Sequence, residues 1–321
     1  MTTKTFPTPI DLPMLPQYFR LTSLQSTTNH AGMTSHVATL FHEKSSLKVQ
    51  WNSPSLPATL GVGSIVSPRW FSDCESRDGA LRIARLAPLQ RPDPQIALFD
   101  LVPPGWFAER VWIARAAALL AELPPSYRHL FNAVLWDGQR FRQFCKSPSS
   151  LNHHHSGDGD NLRHTVETVE FVRQWCHSHA FVHKDLAMLT ALLHDVGKAM
   201  EYAVRRDGSW GLSDRGRLIG HKVTAIEWVA AALAKWEIRL PDMHAEVLLH
   251  NLSAAPHAPR HLGLRDPQTL EAFVVSLADR ASGTTELIER CMPRKAGWGT
   301  YHTQLGFSPY RPAAQIDSFI S

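Results

Sequence analysis

The hydrophobic period of this 321-residue chain changes once, and the change divides it. Before Asp100, apolar and polar residues alternate in short runs: Ser35 to His42, Ser46 to Trp51, Gly63 to Val66 and Ala80 to Leu86, separated by Ser, Pro, Gly and Asn clusters. In LKVQW, residues Leu47, Val49 and Trp51 share one face while Lys48 and Gln50 share the other, the period of a half-buried strand. Four or five such strands predict a compact antiparallel barrel of the OB type; an SH3-like barrel or a simple meander reads the same way. After Pro103-Pro104-Gly105 the period becomes helical, first in Glu109 to Leu123, Pro125 to Trp136 and Gln139 to Cys145. Further helices are expected over 160–178, 183–196, 217–237, 242–252 and 267–290, with a hairpin or loop around Asp207 to Gly216. The expected fold class is therefore α+β multidomain, a small N-terminal OB-like β-barrel followed by an all-α domain. Its boundaries read as an N-terminal extension (1–28), the barrel (29–101), a helical connector (102–150), the helical domain (151–291) and an irregular C-terminal tail (292–321).

A composition of 44% hydrophobic and 19% charged residues excludes disordered and collagen-like chains. The longest apolar runs, Ala116 to Ala121 and Trp228 to Ala234, fall well short of the roughly 18 residues that span a bilayer, so no membrane partner is expected. The start, MTTKTFPTPIDLP, lacks a charged region followed by an apolar run, which favours a cytoplasmic location. Cys74, Cys145, Cys176 and Cys291 lie far apart and read as free thiols. A net charge of +4 permits a polyanionic partner without demanding one.

Histidine is distributed less evenly, with 13 of the 18 lying between His153 and His261. Within that stretch the segment LAMLTALLHDVGK ends an apolar helix in His194-Asp195, just before Gly197 can stop it. Alone, such a dipeptide more often caps a helix or joins a salt bridge. Here His164 stands thirty residues upstream in NLRHTVETVEFV, and Asp279 lies downstream in the apolar FVVSLADRASG. Each is a polar residue where packing prefers an aliphatic one. Two imidazoles and two carboxylates brought together from separate helices would make a site for a divalent metal, and the spacing does not distinguish Mn, Mg, Fe, Co, Ni and Zn.

The order His164, His194-Asp195, Asp279 resembles the ligand pattern of the HD-domain metallophosphohydrolase superfamily. The resemblance implies metal-dependent phosphoester hydrolysis, with Asp195 as shared ligand and proton acceptor and Lys198 of HDVGK as a point charge on a phosphate oxygen. Lys198 could equally favour the helix dipole. His221 in LIGHKVTA and His250 in AEVLLHNL occupy positions where multi-metal HD proteins bind a second ion, although the histidine expected just after His250 is replaced by Ser253-Ala254-Ala255-Pro256-His257. The lead-in PSSLNHHHSGDGDNLRH, with His153, His154 and His155, resembles that of YhaM-like 3′-to-5′ exoribonucleases and also of HD-type conjugative relaxases. The order barrel, connector, HD domain is similar to the YhaM-like layout. It implies a 3′-to-5′ exoribonuclease, with single-stranded DNA as a second substrate and a homo-oligomer compatible with it. A relaxase-related nucleic-acid-binding protein and a nucleotide or second-messenger phosphohydrolase are the alternatives. An OB barrel stacks bases on aromatics and pairs phosphates with cations, which nominates Lys48, Trp51, Arg69, Trp70, Arg82 and Arg85 for single-stranded RNA or DNA. Trp51 shares its strand face with Leu47 and Val49 and so also reads as core.

Overall fold

The computed structural model describes residues 15–30, 32–71, 76–77, 79–151, 157–259, 261 and 263–313. His153, His154, His155 and Cys74 lie outside the described residues. The chain divides into two compact units, Met1–Cys145 with Trp228–Leu240, and Lys146–Glu227 with Pro241–Ser321.

In the first unit, β1 (Phe19–Thr28), β2 (Thr34–His42) and β3 (Ser45–Asn52) form an antiparallel meander. Next come β4 (Ile65–Trp70), a two-residue β5 (Ser76–Arg77) and β6 (Ala80–Pro88). Strand β4 pairs antiparallel with both β1 and β6, while β6 runs parallel to β3 with Val49 opposite Leu81 and Gln50 opposite Arg82. That last pairing closes five strands, in the order β1-β2-β3-β6-β4, into an OB-like barrel. Inward positions at every second residue, among them Leu40, Val49, Leu81 and Ile83, fill the barrel core.

Two expectations need correction here. The segment read as an extension contains β1, without which β2 and β4 would have no common neighbour and the barrel could not close. Its apolar alternation is confined to Phe19, Leu21 and Leu24, and residues 25–28 are polar because that half of the strand pairs with β2 alone. Trp51 is a core residue: it is buried among these side chains, its ring 5.1 Å from that of His36, and it has no face free for a base.

Helices α1 (Arg110–Ala121), α2 (Pro125–Val134) and α3 (Gly138–Lys146) belong to the first unit and carry a core of their own. Phe99 packs against Phe131 and Phe141 at ring separations of 5.6 and 5.5 Å, and Phe141 stacks on Phe144. Pro125 opens α2, where its missing N–H is no loss. A Cβ on Gly138 would stand 2.3 Å from the Gly63 carbonyl, so only glycine lets α3 start this close to the barrel.

The second unit is built on α4 (Asp160–Cys176) and α5 (Lys184–Leu193), followed by α6 (Lys198–Glu201), a hairpin of β7 (Tyr202–Val204) and β8 (Trp210–Leu212), and α7 (Asp214–Leu218). Helix α8 (Gly220–Lys235), α9 (His244–Ser253), the long α10 (Leu270–Cys291) and the short strands β9 (Gly297–Trp298) and β10 (Tyr310–Arg311) complete it, with α8 passing into the first unit at Trp228. Every residue from Leu186 to Leu193 is buried, because α5 is covered by α4, α9 and α10 together. An apolar helix walled in this way delivers its C-terminus to the interior of the unit. Among the described residues, no helix is long and apolar enough to cross a membrane. Among the described residues, Cys145, Cys176 and Cys291 are free and buried, and burial pushes the Cys145 and Cys176 thiols up, away from the reactive thiolate.

Candidate metal centre

Helix α5 ends at His194, which stands as its C-cap, and the chain turns through Asp195 into α6. Gly197 makes that turn compatible with its neighbour, since a Cβ there would lie 2.0 Å from the carbonyl oxygen of His221. The N-terminus of α8 therefore packs directly on the His194-Asp195 turn. His164 projects from the buried face of α4 and Asp279 from the middle of α10.

The four side chains predicted as ligands converge. His164 Nε2 lies 3.4 Å from Asp195 Oδ2 and 3.1 Å from Asp279 Oδ1, while His194 Nε2 lies 3.2 Å from Asp195 Oδ2 and 3.9 Å from Asp279 Oδ1. One ligand atom from each falls within 4.8 Å of all the others. His164 and Asp195 are buried, whereas the Asp279 side chain is 45% exposed and opens the cluster to solvent.

The hydrogen bonds behind the rings decide what the cluster can hold. His194 Nδ1 is 2.7 Å from the Ala191 carbonyl, which can only accept, so Nδ1 carries the proton and a neutral ring presents a bare Nε2. His164 Nδ1 is 3.1 Å from Ser282 Oγ, and that hydroxyl donates to Glu167 Oε2 at 2.7 Å. The hydroxyl proton is committed to the carboxylate, so Ser282 accepts from Nδ1 and the His164 Nε2 is bare as well. Two nitrogen lone pairs 3.3 Å apart and two carboxylates then share one small volume, an arrangement of acceptors that calls for a cation. Two imidazole nitrogens with two carboxylate oxygens suit a divalent transition metal, Mn included, and the described residues fit that group.

The electrostatics agree. Burial alone would lower the pKa of His194, yet Asp195 and Asp279 outweigh it and raise the ring above its ordinary value. Burial works the other way on Asp195, where His194 and Lys198 prevail and hold the carboxyl well below the usual range. Asp279 is likewise held at about 2, against burial, by the neighbouring His164 and His194 rings. A divalent ion that binds between these groups would take the place of the proton they compete for, and the proton would pass to water.

Lys198 is buried and bound, with Nζ 2.5 Å from Asp195 Oδ2 and 3.0 Å from Ser149 Oγ. His221 lies at the edge, Nε2 3.5 Å from Asp195 Oδ1, with Nδ1 held 2.8 Å from Glu201 Oε2. His250 is not brought in. Its Nε2 accepts the Gln268 backbone N–H at 3.0 Å, and that bond uses the lone pair a metal would need. His257 sits exposed in a turn at φ 60° with its N–H on Asp266, so it does not replace a second ligand.

Glu167, Ser282, Glu201 and Ser149 were not anticipated. Two of them had a signal: Glu167 stands three residues after His164 and Ser282 three after Asp279, the helical spacing that puts side chains on one face. Removing the support should matter. Ser282→Ala is expected to weaken Mn binding by about 10–100-fold with the fold retained, because His164 loses the partner that fixes its tautomer. Calorimetric titration with Mn checks this, and unchanged affinity would show that the relay does not orient His164.

A pocket of about 550 Å³ opens on this centre, lined on its ionic side by His194, Asp195, Lys198, His221, Lys222 and Arg280. In the barrel, the nominated cations occupy outward positions. Lys48, Arg69, Arg82 and Arg85 are exposed on three consecutive strands, β3, β6 and β4, with Arg69 directly opposite Arg85 and Arg82 5.9 Å over the Phe71 ring. Trp70 is half-buried and leans on the barrel core.

Comparison with known proteins places the second unit. Residues 161–283 match the HD domain family. Over 152 residues, 47% of this chain, the sequence is 26% identical to a protein named 3′-5′ exoribonuclease YhaM from Shouchella clausii (strain KSM-K16), a match that covers 46% of that protein. The chain thus spans about half the length of the curated relative it matches. No solved structure matches significantly. With its ligand order, helices and converging side chains in place, the chain carries an HD domain at residues 161–283 and is YhaM-like over about half its length.

Proposed function

We propose that this protein is a metal-dependent 3′-to-5′ exoribonuclease that also accepts single-stranded DNA. The observation that carries the hydrolase reading is the pair of bare Nε2 atoms of His164 and His194 facing Asp195 and Asp279 at the floor of an open, cation-rimmed pocket. A divalent ion held by these residues would polarise a phosphoryl oxygen and lower the pKa of water so that hydroxide forms; as hydroxide adds to phosphorus, the bond from phosphorus to the strand's 3′ oxygen breaks and that oxygen leaves with a proton. Lys198, already paired to Asp195, offsets negative charge as it builds on the phosphate. With Nδ1 committed to Glu201, the His221 ring presents Nε2 towards the pocket beside Asp195, where it takes up the proton of the attacking water or adds a ligand to a second ion.

Support for a nucleic-acid strand as substrate comes from the other unit and from the relative. Like charges on neighbouring strands repel, and Arg69 opposite Arg85 has no internal benefit to the sheet. Four cations on one outward face of an OB-like barrel suit a phosphate backbone, with affinity that falls as salt rises.

The test is end-labelled single-stranded RNA and DNA incubated with Mn or Mg. Stepwise shortening from the 3′ end, faster on RNA, is the expected result. Binding without shortening would favour a relaxase-related accessory protein, and neither binding nor shortening would shift the substrate to small phosphorylated nucleotides.

A further inference from the structure

The C-terminal segment, expected as an irregular tail, instead supplies one wall of the pocket. Strand β9 pairs with β10, Trp298 opposite Tyr310, and the intervening chain turns back through His302 to Phe307, where Gly306 adopts φ 71° and donates to the His302 carbonyl at 2.9 Å. The hairpin is fixed to the end of α10. The Thr300 N–H bonds the Cys291 carbonyl at 2.9 Å, and a Cβ on Gly299 would stand 2.0 Å from that same oxygen, so Gly299 lets the hairpin lie flush on the helix end.

Helix α10 also carries Asp279, so one rigid element spaces the metal centre from the hairpin. Asp279, Gly283 and Leu287 recur at four-residue intervals along the pocket, and Leu287 stands about 12 Å along the helix from Asp279. Gln304, Leu305 and Phe307 from the hairpin turn line the same pocket. Its character therefore changes along its length. Near the ligands it is ionic, with Lys198, Lys222 and Arg280; elsewhere it is lined by Leu252, Leu287, Leu305 and Phe307. Phe307 remains 47% exposed although it lines a pocket, so part of its ring is free to make a contact.

We propose that the hairpin 297–311 is the base-binding wall of this site: Phe307 stacks on the nucleobase attached to the reacting phosphate, and Gln304 hydrogen-bonds the edge of that base. The proposal rests on the nuclease reading and adds the element that selects a nucleotide over other phosphoesters. An aromatic face accepts any base, which suits an enzyme that must proceed along a strand regardless of sequence. Lys222 and Arg280 supply the cationic surface that the phosphate requires, and the apolar lining supplies what the base requires.

The test compares trimming of a short oligoadenylate, as RNA and as DNA, with trimming of the same strand bearing an abasic terminal residue. The abasic end and the Phe307→Ala substitution are each expected to raise KM about tenfold, and together to do little more than either alone, because both remove the same stack. Phe307→Trp should keep the preference for a base-bearing end, which separates loss of stacking from loss of fold, as does a melting curve for Phe307→Ala. If the wild-type protein trims both ends alike, or Phe307→Ala still discriminates between them, the base-binding wall is wrong while the nuclease reading stands. If the wild-type protein trims neither strand, both fall together.

Discussion

Asp195→Ala should eliminate metal-dependent hydrolysis, by about a thousandfold or more, and should also destabilise the second unit. The two losses have different causes. Asp195 would contribute a ligand oxygen beside the His164 and His194 nitrogens, and an interaction worth about 4 kcal/mol in the transition state corresponds to a thousandfold in rate. It is also the buried counter-charge of Lys198, which would keep the neutral Ser149 hydroxyl but lose its anion. Breaking a buried ion pair from one side costs about 3–5 kcal/mol, because the remaining charge stays desolvated. Asp195→Asn separates the effects. It keeps the shape and a carbonyl oxygen for Lys198, so it should fold nearly as well while binding Mn far more weakly. Turnover, Mn titration and urea unfolding on the three proteins check both halves. Strand binding through the barrel should persist in each variant, and hydrolysis retained by Asp195→Ala would remove the HD mechanism.

The candidate metal ligands were legible because each breaks a pattern. A histidine and an aspartate at the end of LAMLTALL, and an aspartate inside FVVSLADR, sit where burial penalises them unless they meet partners. Their partners were harder to see. Ser282 and Glu167 are ordinary helix-surface residues whose role exists only once α4 and α10 are side by side. His250 shows the converse: its place in an amphipathic helix matched expectation, but a backbone N–H from Gln268 claimed its nitrogen, and nothing in AEVLLHNL announces that loop.

In the barrel, alternation revealed the strands with one clean apolar face and concealed β1. Only its first three residues are buried, and one of those is Arg20. The β-rich run TSLQSTT was the available signal, since threonine favours extended backbone. The tail escaped notice for a related reason. Its hairpin has two-residue strands and exposed aromatics, so no period emerges, and its position is set by Gly299 against Cys291, a close approach invisible in one dimension.

Arg20→Ala is expected to lower the stability of the first unit by about 3 kcal/mol, and Arg20→Met by about 1. Arg20 is fully buried, with Nε 3.2 Å from the Leu101 carbonyl, Nη1 2.8 Å from the Gly63 carbonyl, and the guanidinium 5.0 Å from Trp106 and 5.6 Å from Phe141. It therefore ties β1 to the loop before β4 and to the chain leading into α1. Against these contacts, Nη2 has no hydrogen-bond partner among the described residues, and burial pulls the pKa down to about 10, with Asp137 opposing. A base whose folded pKa is depressed opposes folding while charged in both states; here that penalty is fully present at neutral pH and fades as pH rises above about 10. Alanine removes the penalty but leaves two buried carbonyls without their donor and a cavity the size of a long side chain, and the cavity decides the sign. Methionine fills most of that volume without the charge, so its net effect is small. In urea unfolding followed by tryptophan fluorescence, the transition of the first unit should shift down by about 1–2 M for alanine and by less than half of that for methionine. Equal midpoints for wild type and Arg20→Ala would mean that burying the charge costs as much as its contacts return, and Arg20 would not be what holds β1 in the barrel.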